Sequence, residues 1–123
     1  MLVKPRLRGV SHQWAFFASL VAGGALIVAA QGAREVLAMS VYAFSLSALL
    51  GTSALYHRVD WEPGQRRWMR RLDHTMIFVL IAGSYTPICY LFLDDTWGPA
   101  IIATQWGLVA FGLLSQLWFP RAP

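Results

Sequence analysis

VLAMSVYAFSLSALLGTSALY, residues 36–56, is a run of 21 residues without one Asp, Glu, Lys or Arg. A helix rises about 1.5 Å per residue, so such a run crosses the roughly 30 Å hydrocarbon core of a bilayer. A water-soluble helix of this length carries a charged face at 3.6-residue spacing, and this run has none. Three further stretches share the pattern: residues 14–30, 75–93 and 100–119, of 17, 19 and 20 residues. The four together hold 77 of the 123 residues, so all 16 charged side chains fall in the other 46. Only a helix satisfies its own backbone inside lipid, where an unbonded N–H or C=O costs several kcal/mol. The chain therefore reads as all-α and integral to a membrane, with four predicted transmembrane helices in a single membrane domain, residues 1–123.

The composition agrees. The chain is 57% hydrophobic and 13% charged, with a mean hydropathy of +0.50, against about 25% charged in an average soluble domain. Disorder needs the opposite balance. Cys89 is the single cysteine, which excludes an internally disulfide-stapled domain. The sequence pI of 9.8 suggests nucleic acid until the charges are placed. Lys4, Arg6 and Arg8 precede the first span, Arg58, Arg66, Arg67, Arg70 and Arg71 fill the second loop, and Arg121 follows the fourth span. Nine of the ten basic residues thus share one side, which the positive-inside rule assigns to the cytoplasm together with the N-terminus. Arg34 and Glu35 in the first loop, and Asp94 and Asp95 in the third, fall on the other side. Topology accounts for the basic pI, and no nucleic-acid partner is expected.

A basic start, an apolar stretch and Val28-Ala29-Ala30 also have the outline of a secretory signal. The first stretch is long for a signal core, and Trp14, Phe16 and Phe17 suit an interfacial anchor, so a retained span is expected. Ser47 and Gly51 form a small-xxx-small pair that lets helices approach closely. Gly83 and Ser84, and Gly107 and Gly112, are candidates for the same use, which points to a compact bundle. Pro87 removes a backbone donor and crowds the carbonyl of Gly83, so a kink is expected in the third span. Trp14, Trp61, Trp68, Trp97 and Trp118 fall at predicted interfaces.

The second loop gathers the chemistry. Ser53 and His57 are four apart and share a helix face; Asp73 opens the third span, and His12 precedes the first. All three histidines, His74 included, map to one membrane side beside a carboxylate. Imidazole and carboxylate suit zinc, and zinc with an open position lowers a bound water's pKa to about 7. A simpler reading stands beside it: Asp73 as a helix N-cap, Ser53 bonded back to a preceding carbonyl, and the histidines solvated.

Ser53-Ala54-Leu55-Tyr56-His57, Arg71-Leu72-Asp73-His74-Thr75-Met76-Ile77 and Ile81-Ala82-Gly83-Ser84-Tyr85-Thr86-Pro87 together resemble the hemolysin III family. That family is grouped with the progestin and adipoQ receptors and, more distantly, with alkaline ceramidases. The opening Lys4-Pro5-Arg6-Leu7-Arg8-Gly9-Val10 is similar to bacterial members, and the likeness covers essentially the whole chain. The resemblance implies the first part of a seven-helix bundle in a bacterial plasma membrane, with a zinc site on its cytoplasmic side. It implies His57 as a zinc ligand, and Asp73 and Ser53 as the candidate catalytic residues, Asp73 holding the zinc-bound water.

The chain departs from the family in having four predicted spans and no H-x-x-x-H, the motif expected to bring the remaining zinc ligands. It reads as C-terminally truncated relative to the family. A truncated or mispredicted reading frame, a split protein completed by a second chain, and a metal-free short form each account for this; His12 or His74 as a substitute ligand is a fourth account. Two functions follow from the resemblance: part of a zinc-dependent lipid-amide hydrolase or membrane-homeostasis protein, or a non-catalytic, pore-forming hemolysin-like protein. The expected partners are membrane lipids and either a C-terminal partner chain or further copies of this one.

Overall fold

The computed structural model describes residues 9–118. Four helices follow one another: α1 (Val10–Ala29), α2 (Gly32–Arg58), α3 (Pro63–Phe92) and α4 (Trp97–Trp118). No strand occurs among the described residues, and all four helices are long and apolar enough to cross a membrane. The charge-free stretches lie almost wholly inside these longer helices. Lys4, Arg6, Arg8 and Arg121, which carry part of the charge asymmetry, lie outside the described residues.

α3 has 30 residues, about 45 Å of helix, so some 15 Å of it exceeds a hydrocarbon core of roughly 30 Å. Its start differs from the sequence expectation. Pro63-Gly64 opens the helix ten residues before Asp73, and Glu62 is the N-cap. The Gln65 side chain accepts the Glu62 N–H while Glu62 accepts in return from the backbone of Gln65, a capping box completed by proline in the first turn. Asp73 is therefore interior to α3, and its reading as an N-cap does not hold. The physical reason is simple: charge-free length measures the part of a helix that lipid can cover, and a helix continues into water wherever its caps allow.

Small residues make the seams. α1 and α2 run antiparallel along a ladder of close approaches. Ser19 Oγ and Ser47 Oγ share a hydrogen bond of 2.8 Å. A Cβ on Gly23 would come 2.9 Å from Ala43 Cβ, and one on Gly51 would strike the Phe16 ring at 2.9 Å. α2 meets α3 where Gly83 faces Ser45, whose side chain occupies the space a Cβ would need. α3 holds α4 through Trp106 Nε1, which donates to Thr86 Oγ1 at 2.8 Å, and through Thr75 Oγ1, which donates to Gln116 Oε1 at 3.2 Å. Gly98, unremarked in the sequence, lets α4 start against the Cys89 carbonyl oxygen, 2.5 Å from where its Cβ would stand. Gly107 and Gly112 face open space instead.

Large apolar side chains point outward: Trp14, Phe44, Phe78, Phe92 and Phe111 are all exposed, while the buried set is mostly Ala, Ser, Thr and Gly. That inversion is what lipid favours, since tails are as apolar as leucine and helices associate through close packing. Among the described residues each helix touches only its neighbours in sequence: α1 with α2, α2 with α3, α3 with α4. The compact bundle expected from the glycines is thus an open row, because two of the glycines thought to close it make no close approach.

Candidate functional site at the α1–α2 end

The first turn of α1 lies against the last turns of α2. Gly9 caps α1 in the left-handed region, φ 71°, which glycine alone adopts freely. A Cβ there would come 2.7 Å from His57 Cβ. One turn deeper, His12 Nδ1 and Ser53 Oγ are 2.6 Å apart. With the proton on Nε2 the hydroxyl donates to Nδ1; with Nδ1 protonated the ring donates to the hydroxyl. Ser53 is buried, 5% exposed, whereas His12 is exposed and His57 half-buried. The His57 ring also lies 4.9 Å from the Tyr56 ring, tilted by 55°.

The sequence-predicted residues therefore separate into two groups. Ser53 and His57 do share a line along α2, and His12 does reach their depth; the direct His12–Ser53 bond is new. The sequence carried only part of its signal: His12 just before the first span and Ser53 near the end of the second share a depth, but the contact depends on how α1 docks on α2. Asp73 is half-buried on α3 and has no hydrogen bond to the His12–Ser53 pair, and His74 is exposed. Among the described residues no three His, Cys, Asp or Glu side chains come together as a metal-holding group. A closed zinc site takes four ligands and a catalytic one three plus water, so these residues by themselves do not fit zinc.

Beside the pair, the α1–α2 groove opens into a cavity of about 440 Å³ lined by Phe16, Phe17, Ala54 and Leu55, with Gln13 and Arg58 as its polar members. Its size falls in the range of small-molecule sites, roughly 300–1,000 Å³. At the opposite end of the helices, Arg34 Nη2 donates to the Tyr90 carbonyl at 2.5 Å while its guanidinium lies 4.7 Å from the Tyr90 ring centre. This clasps the first turn of α2 to the last turn of α3.

Span-length helices, seams of small residues and an outward apolar surface define a helical integral membrane protein with a polar pair at one end. The chain belongs to the haemolysin-III-related family, whose model matches residues 1–122. It is 34% identical over 89 residues to Hemolysin-3 of Bacillus cereus, covering 72% of this chain and 40% of that protein. It is 27% identical over 89 residues to the Hemolysin-3 homolog of Bacillus subtilis (strain 168), covering 72% and 41%. The matched stretch thus spans about two fifths of the length of these curated relatives. No solved structure gives a significant match.

Proposed function

We propose that this chain acts on membrane lipid, as part of a lipid-amide hydrolase whose remaining functional groups come from further polypeptide. The observation that carries this reading is the His12–Ser53 hydrogen bond of 2.6 Å, with the chain neighbours of both residues, Gln13 and Ala54, lining a mostly apolar groove. In this reading the groove holds an acyl chain, and the pair meets the lipid's polar linkage at the cytoplasmic boundary of a bacterial plasma membrane. Orientation follows from the basic asymmetry of the loops. His12 Nδ1 holds the Ser53 hydroxyl in one direction, and Gly9 keeps His57 close to the start of α1. His57 and Asp73 are the further positions contributed to the site. Zinc is the cofactor the family resemblance implies; the described donors do not suffice for it, and no step of this reading runs through it.

The test is hydrolysis of a fluorescent ceramide by the purified chain in lipid nanodiscs, alone and co-expressed with the C-terminal spans of a relative. Metal content is measured in parallel by plasma mass spectrometry. Turnover that appears with the added spans and falls in Ser53→Ala, His57→Ala and Asp73→Asn supports the reading. Turnover indifferent to all three substitutions, or absent when the spans are present, overturns it.

The hemolysin name of the relatives, with the many large apolar residues on the outside of the row, favours a second reading as a membrane-perturbing protein. It expects dye leakage from liposomes that persists in His57→Ala/Asp73→Asn. Tight liposomes at high protein load would exclude it.

A further inference from the structure

One face of α3 stays outside both of its seams. In steps of three or four residues, Arg67, Arg70, His74, Ile77, Ile81 and Tyr85 are all exposed. Such steps keep side chains on one face of a helix. The same line ends at Ile88 and Phe92, the latter 80% exposed. Its chemistry changes once: basic as far as His74, bulky and apolar from Ile77 on. No small residue stands on it, whereas the seams of α3 are built on Thr75, Gly83 and Thr86. Helices meet in lipid on small residues, so this surface suits acyl chains better than another helix.

The dimensions agree with a lipid lying lengthwise. From Arg70 to Ile81 is about 16 Å of helix, close to one leaflet, half of a core roughly 30 Å thick. Arg67 and Arg70 have no ion-pair partner among the described residues. Glu62, the nearest acid before them, is engaged in the capping box, and Asp73, one turn beyond Arg70 at the edge of this face, is half-buried. Long arginine side chains at a span end reach to the headgroup level, where a phosphate supplies the missing negative charge. We propose that this face of α3 binds one anionic phospholipid, its phosphate held by Arg67 and Arg70 and an acyl chain laid along Ile77, Ile81 and Tyr85.

The 123-residue chain is reconstituted in phosphatidylcholine with and without phosphatidylglycerol, and retained lipid is counted by native mass spectrometry. Selective retention of one phosphatidylglycerol is expected, weakened roughly fivefold for each arginine replaced in Arg67→Gln and Arg70→Gln. Circular dichroism checks that both variants keep their helix content. A photoactivatable phosphatidylglycerol, used on the unaltered chain, is expected to mark residues 77–85. Equal retention of both lipids, retention unchanged in the double variant, or adducts confined to other helices would overturn the proposal. Displacement of the lipid by millimolar inorganic phosphate would also overturn it, since the site would then read a free anion without the acyl chain.

Discussion

Ser53 is small enough to sit between two helices and polar enough to need a partner there, and His12 supplies it. Interhelical hydrogen bonds in lipid are worth about 0.6 kcal/mol on average and up to about 1.7. His12→Phe and Ser53→Ala should each lower stability by about 1 kcal/mol, and the double variant by less than their sum, because either change alone breaks the same bond. Unfolding in mixed micelles, read as a double-mutant cycle, measures this. Gly83 carries a steric counterpart. Its missing Cβ is the space taken by Ser45, so Gly83→Ala should cost about 1–3 kcal/mol by overpacking. Ser45→Gly in the same chain should recover most of that loss, which the same unfolding measurement reads.

At the scale of elements, the ends of the helices are set by side chains that hydropathy does not register. Asp94 Oδ1 accepts the N–H groups of Thr96, at 2.9 Å, and Trp97, at 2.7 Å, and so caps α4. Asp94→Ala should destabilise α4 by about 1 kcal/mol, seen as faster amide hydrogen exchange at Thr96, Trp97 and Gly98. The four spans and their membrane class were legible because sixteen charges in 46 positions leave little choice. Where α3 starts was not, because Arg66, Arg67, Arg70 and Arg71 end a charge-free run without ending a helix. Arg71 even turns inward: it is 8% exposed, its guanidinium 5.4 Å from the Trp68 ring centre, a cation–π arrangement. The site was legible in part. The four-residue spacing of Ser53 and His57 put both on one face, but which imidazole meets the hydroxyl depends on how α1 docks, and spacing within one helix carries no such information. For the same reason Asp73, though close to His57 in depth, stands apart from the pair.

At the scale of the molecule, the row makes a prediction about proximity. Ser19 and Ser47 share a hydrogen bond of 2.8 Å across the α1–α2 seam, while α1 and α4 do not touch among the described residues. In a Cys89→Ala background, Ser19→Cys/Ser47→Cys should oxidise to an intramolecular disulfide, visible as a shift on non-reducing gels. Ser19→Cys/Phe111→Cys should form none within a single chain. A rapid 19–111 bridge in monomeric protein would show that the row curls into a closed ring.

The neighbour-only packing also bears on biogenesis. Among the described residues every helix finds its tertiary partner in the segment made immediately before or after it, and no pairing bridges an intervening helix. Low sequence separation between partners favours fast, local assembly. A translocon can thus release α1 with α2 as a finished hairpin, add α3 to its edge and then α4 to α3, each step completing a seam before the next span leaves the ribosome.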